Sequence, residues 1–136
     1  MMSRLGRRRK GIRLQPRLAK AADTGRMRLD ILVTKEADWW VAQCLQYDLA
    51  AQAKTLADLR YAFERALVAH VVVSLEKRVE PFDSLPSAPR KYWVAWERAL
   101  PVETERVAPP AFRIPKGIPR GLIPCERQFR VGDLVA

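Results

Sequence analysis

Four consecutive phrases decide the fold: Arg28-Leu29-Asp30-Ile31-Leu32-Val33-Thr34, Trp39-Trp40-Val41-Ala42-Gln43-Cys44-Leu45, Leu49-Ala50-Ala51-Gln52-Ala53-Lys54 and Thr55-Leu56-Ala57-Asp58. The first is rich in branched residues and partly alternating, which reads as a strand. Lys35-Glu36-Ala37-Asp38 is a polar connection of the length hairpins use. The second phrase alternates, placing Trp39, Val41 and Gln43 on one face and Trp40, Ala42 and Cys44 on the other. Gln46-Tyr47-Asp48 turns the chain into a third, shorter strand of small side chains. Three strands on such short connections predict an antiparallel meander.

The fourth phrase has capping-box spacing, with a threonine oxygen placed to accept an orphan amide at the start of a helix. A helix of about five turns is expected to roughly Lys77. Its stripe is Leu56, Leu59, Phe63, Leu67 and Val71, at three- and four-residue steps, and this stripe must cover the sheet. Asp58, Arg60, Glu64 and Arg65 fall largely off it.

Further along, Pro81-Phe82-Asp83-Ser84-Leu85-Pro86 reads as an extended connector. Ser87 is placed to cap a second helix over about residues 88–100, with Pro89 tolerated in its first turn. Trp93, Trp96 and Leu100 share one face of that helix, as core or as a docking ridge. Beyond it lie six of the ten prolines, which stop helices and disfavour central strands. Phe112-Arg113-Ile114 and Gln128-Phe129-Arg130-Val131 are candidates for short edge strands; the rest reads as extended chain over the domain or a partner. The expected class is α/β (α+β): a three-stranded meander packed by one long helix, then an aromatic helix and a proline-rich tail. The expected divisions are a basic arm over 1–26, a domain over 27–100 and the tail over 101–136.

Composition narrows the function classes. The chain has 136 residues, 49 % of them hydrophobic and 29 % charged, the balance of one folded domain. No apolar run approaches the ~18 residues of a membrane span, and a cytoplasmic location is expected. Two cysteines make no disulfide framework, and a single histidine makes no zinc finger. The net charge of +10 is concentrated: residues 1–26 carry nine Arg or Lys against one acid, while residues 27–100 are neutral. Arg7-Arg8-Arg9-Lys10 is a run able to neutralise phosphates on nucleic acid. Three readings of the arm stand side by side: a working basic arm, an inert solvated tail, and a translation start at Met27 that leaves the arm unmade.

Catalytic chemistry has few candidates. Asp30, Asp48 and Glu64 are the tempting set for two-metal phosphodiester hydrolysis, yet no D-x-D or D-x-E phrase accompanies them. Asp48 and Glu64 also have ordinary solvent-facing explanations. Cys44 reads as a small buried hydrophobe, Cys125 has no adjacent base, and His70 reads as a hydrogen-bonded packing histidine. No glycine-rich phosphate loop is present, and no cofactor or metal is implied.

Residues 27–77 resemble the HicB-type antitoxin family. The resemblance is carried by Leu29–Val33, by Trp39-Trp40-Val41-Ala42-Gln43-Cys44-Leu45, by Leu49-Ala50-Ala51-Gln52-Ala53 and by Thr55-Leu56-Ala57-Asp58-Leu59 opening the helix. It implies a reduced ribonuclease H-like fold with a fourth strand, used as a module that binds a small HicA-like toxin ribonuclease. The chain departs from the family in lacking an evident DNA-binding pattern after Leu100. The expected function is therefore a non-enzymatic interaction module, antitoxin or antitoxin-derived. The alternatives are a nucleic-acid-binding regulator acting through the arm and, behind it, a ribonuclease H-like hydrolase. A homo-oligomer is also expected, held by a sheet edge and the aromatic helix, with the tail across the neighbour; its main rival is a single chain whose tail folds back to complete its own domain. Trp39, Trp40, Trp93 and Trp96 are the expected partner-binding residues, since tryptophan is enriched at interfaces.

Overall fold

Only Ala37 and Asp38 separate β1 (Arg28–Glu36) from β2 (Trp39–Cys44) in the computed structural model, which describes residues 28–106, 116–124 and 126–134. The four-residue connection expected at Lys35–Asp38 is thus a two-residue turn, because Lys35 and Glu36 pair with Trp40 and Trp39. Two-residue turns match the right-handed twist of paired strands, and Ala37 takes the positive φ of 56° that such a turn demands. β3 (Ala50–Ala53) pairs antiparallel with β2 as expected, with Gln43 opposite Ala50.

Helix α1 (Leu56–Glu76) begins where the sequence places it: Thr55 Oγ1 accepts the Asp58 amide at 3.1 Å. It ends without glycine or proline. Val79 N–H donates to Ser74 O and Arg78 N–H to Leu75 O, with Arg78 at φ 59°, the double bond of a Schellman stop. Leu59, Phe63, Leu67 and Val71 are buried against Leu29, Ile31, Val33, Ala42 and Cys44. Leu56 departs from the expected stripe and is exposed, because it lies in the first turn.

The connector is turned rather than extended, and it carries the chain to the opposite face of the sheet. Ala88 N–H donates to Leu45 O at 2.9 Å, and Asp48 N–H donates to Pro86 O at 2.6 Å. Helix α2 (Arg90–Arg98) is shorter than the expected 88–100, and Pro89, not Ser87, stands at its N-terminus without a side-chain cap bond. Its Ala95 and Trp96 close a second, smaller core with Leu32, Leu45, Ala88 and Ala99. Successive residues of β1 therefore serve opposite faces: Leu29, Ile31 and Val33 meet α1, and Leu32 meets α2. A strand covered on both sides accounts for its nearly continuous apolar run.

The largest correction concerns the tail. Residues 100–136 supply two strands, β4 (Leu100–Arg106) and β5 (Glu126–Val131), to a five-stranded mixed sheet of order β3-β2-β1-β5-β4. β5 lies parallel to β1 and antiparallel to β4, so the segment expected at an edge is flanked on both sides. The division expected at residue 100 falls at the start of β4, and Leu100 belongs to that strand, 77 % exposed, not to the aromatic face of α2. A 3-10 turn, Arg120–Leu122, brings Leu122 and Ile123 into the α1 core. Prolines break the tail only up to Pro124; Glu126–Val131 is proline-free and alternates, so nothing hinders its entry into the sheet. Gly132 lets this C-terminal end pass close under α2, where a Cβ would stand 2.9 Å from Ala99 Cβ. Phe112–Ile114, Met27 and the basic arm lie outside the described residues.

Candidate functional site

Asp30, Glu64, Asp48 and His70 are each held by a partner within the fold. Asp30 points to the α2 side of β1 and is buried. Its Oδ2 accepts from Gln46 Nε2 at 2.8 Å while its own amide donates to Gln46 Oε1 at 2.9 Å, and Arg28 Nε stands 3.1 Å from Oδ1. This reciprocal pair pins the β2–β3 loop to β1.

Glu64 is buried, which corrects its expected solvent-facing role. It projects from α1 toward β5, where Arg127 Nε donates to Oε2 at 2.8 Å and Arg127 Nη2 donates to Oε1. Arg127 is fully buried, and its Nη1 also donates to Pro124 O. The fork geometry of arginine satisfies both carboxylate oxygens at once, the arrangement a buried ion pair requires. The sheet stands between this pair and Asp30, so the expected hydrolase set is divided between its two faces. Asp48, exposed, accepts from Gln43 Nε2 at 2.9 Å. Among the described residues no group of three His, Cys, Asp or Glu is gathered for a metal ion.

His70 takes the packing role expected of it. Its Nε2 accepts the Phe82 amide at 2.9 Å, and its ring lies 4.9 Å from the Phe82 ring, which Tyr47 meets from another direction at 4.8 Å. Burial holds its pKa below the usual imidazole value. Phe82 itself sits at φ 72° and is buried, so this bond fixes a backbone conformation that side chains disfavour. Cys44 is buried as expected, and desolvation pushes its thiol up to about 11, which leaves it protonated at neutral pH. Cys125 lies outside the described residues.

The four tryptophans are not equivalent. Trp96 is 5 % exposed, with the Arg130 guanidinium 4.3 Å over its ring and Arg130 Nη1 donating to its carbonyl at 2.9 Å. It is core, which corrects its partner-facing assignment. Trp93, half-buried beside it, lines a shallow depression of about 470 Å3 with Ser87, Ala88, Arg90, Val94 and Glu97. Trp39 is 38 % exposed at the hairpin end, with Lys54 Nζ 4.3 Å over its ring. Trp40 turns to the other face, half-buried against the α1 core with Lys35 Nζ 5.2 Å away. Of the four tryptophans, Trp39 is exposed and Trp40 and Trp93 are half-buried; Tyr61 of α1 adds a further exposed ring.

Sequence reasoning missed the Glu64–Arg127 pair. The available signal was Arg127, two residues before Phe129 and hence on the same inward face of an alternating strand, where an arginine needs an acid. Among the described residues no helix is long and apolar enough to cross a membrane. Comparison with protein-family models, curated proteins and solved structures returns no match to this chain.

Proposed function

We propose that this protein is a non-enzymatic interaction module of the HicB-like kind, antitoxin or antitoxin-derived, whose partner is a small HicA-like toxin. One observation carries the reading. The acids that hydrolysis would need are separated by the sheet; Gln46 holds Asp30 and Arg127 holds Glu64 in bonds that tie separate parts of the chain together. The order of the first elements agrees with it: a three-stranded meander followed by one long helix. Trp93 and Trp39 are the accessible anchors of the kind interface hot spots use.

The test is co-expression with the small basic product of a neighbouring reading frame. A stable complex that Trp93→Ala weakens by roughly tenfold or more, as loss of a hot spot does, supports the reading. Separate elution of the two proteins contradicts it. A metal-dependent nuclease assay on wild type and Asp30→Asn addresses the hydrolase alternative, for which activity lost in the variant is required.

The concentration of nine basic residues in 1–26 favours a second reading, a regulator that binds nucleic acid through Arg7, Arg8, Arg9 and Lys10. Binding by phosphate contacts must weaken steeply with salt and vanish on removal of residues 1–26.

A further inference from the structure

The two edges of the sheet differ in how they are guarded. β4 carries Pro101, a register shift between Pro101 and Glu103, and the acids Glu103 and Glu105 in its sequence. Proline, irregularity, charge and shortness are devices that stop an edge from pairing with another chain. β3, at the other edge, is Ala-Ala-Gln-Ala; it is short, at four residues, but carries no proline, irregularity or charge. Lys54, the charge next to it, is drawn inward over Trp39 of β2.

The pairing of β2 with β3 fixes which backbone groups face outward. Cys44 N–H donates to Leu49 O while the Leu49 amide donates to Tyr47 O, so Ala51 and Ala53 turn their amides and carbonyls toward β2, and Ala50 and Gln52 turn theirs away. Among the described residues nothing pairs with these outward groups. At Asp48 the corresponding N–H is taken by Pro86 O, so the open edge starts after it. Beside this edge, α1 presents Ala62, Ala66, Ala69 and Val73, spaced by four, three and four residues. They lie on the flank opposite Glu64, which faces β5, and so on the side beyond β3.

We propose that β3 pairs antiparallel with β3 of a second copy about a two-fold axis through Gln52, joining two five-stranded sheets into one of ten strands. In this register Gln52 faces Gln52, Ala51 faces Ala53, and Ala50 faces Lys54. The outward groups of Ala50, Gln52 and Lys54 meet their counterparts, and no like charges are opposed. Across such a seam the two α1 helices lie on the same face of the joined sheet, and a flank of alanines permits helices to pack at about 8–10 Å. Stable interfaces bury about 1,200–2,000 Å2, more than a four-residue edge supplies, so the α1 flank is a required part of the contact. This inference is independent of the toxin-binding reading.

The test is the mass in solution of the full chain at micromolar concentration, by sedimentation velocity. Wild type is expected as a dimer. Gln52→Lys and Gln52→Glu each set like charges against each other at the axis and should weaken it roughly tenfold or more. An equimolar mixture of the two variants should restore a heterodimer, because opposite charges then meet. Circular dichroism of each variant checks that the exposed substitution leaves the fold intact. A wild-type monomer overturns the proposal, including one whose Ala50 and Gln52 amides are protected from exchange by another segment of the same chain. A dimer indifferent to both variants overturns it as well.

Discussion

His70 shows how a single side chain is committed to the fold. The Phe82 amide needs an acceptor, and Nε2 serves only while the imidazole is neutral. Burial lowers its folded pKa below the ordinary 6.5, so the unfolded chain binds the proton more readily. The stability contributed by the neutral ring is complete above about pH 6.5 and is lost as the pH falls through the depressed folded value. Urea midpoints at pH 7.5 and 5 should therefore differ more in wild type than in His70→Gln, which keeps an acceptor and cannot titrate; equal differences would contradict the assignment. Arg78 gives a second case. It holds the left-handed position of the Schellman stop, where a side chain costs about 1–2 kcal/mol that glycine avoids, partly offset by the greater chain entropy of glycine. Arg78→Gly should accordingly stabilise by up to about 1 kcal/mol in equilibrium denaturation, and a loss of stability would contradict it. The packing histidine was legible in the sequence. The helix stop at Arg78 was not, because no glycine marks it and only the backbone angle reveals it.

At the level of elements, what was legible followed burial. β1, β2 and α1 bury residues at regular spacings, so their patterns name them; the Thr55 cap adds a polar signal of its own. β4 was missed because an edge strand reading Leu-Pro-Val-Glu-Thr-Glu-Arg has little apolar periodicity. β5 was seen as a strand but misplaced, since two arginines disguise an interior strand. Arg127 is neutralised by Glu64 across sixty-three positions, and no local rule anticipates so distant a partner. That bond also ties α1 to β5. Arg127→Met leaves a buried carboxylate without a partner and should cost about 3–5 kcal/mol. Adding Glu64→Leu should recover most of the loss, because apolar replacement of a whole buried pair is often close to neutral. Urea denaturation of the two single variants and the double variant measures the coupling. Additive losses would mean that the two side chains act independently.

On the scale of the whole molecule, the C-terminal residues turn an apparent appendage into part of the core. A three-stranded sheet under one helix has little interior, and domains below about 70–80 residues often need further support. Here β4 and β5 widen the sheet, α2 covers its second face, and Leu122 and Ile123 extend the first core. The same arrangement uses Asp30, Glu64, His70 and Cys44 as structural parts, and on the proposed reading recognition belongs to the surface. That surface was only partly legible: of the four tryptophans read as partner-binding, Trp39 is exposed and Trp40 and Trp93 are half-buried, while Trp96 was claimed by the core that α2 forms with the sheet. The central claim is that residues 126–131 belong to the cooperative core. Native-state hydrogen exchange measures this directly, because interior strands open only with global unfolding whereas peripheral segments open alone. The amides of β5 paired with β1 should exchange at the same limiting free energy as those of β1 itself; fast exchange of β5 beneath a protected β1 and β2 would contradict the account.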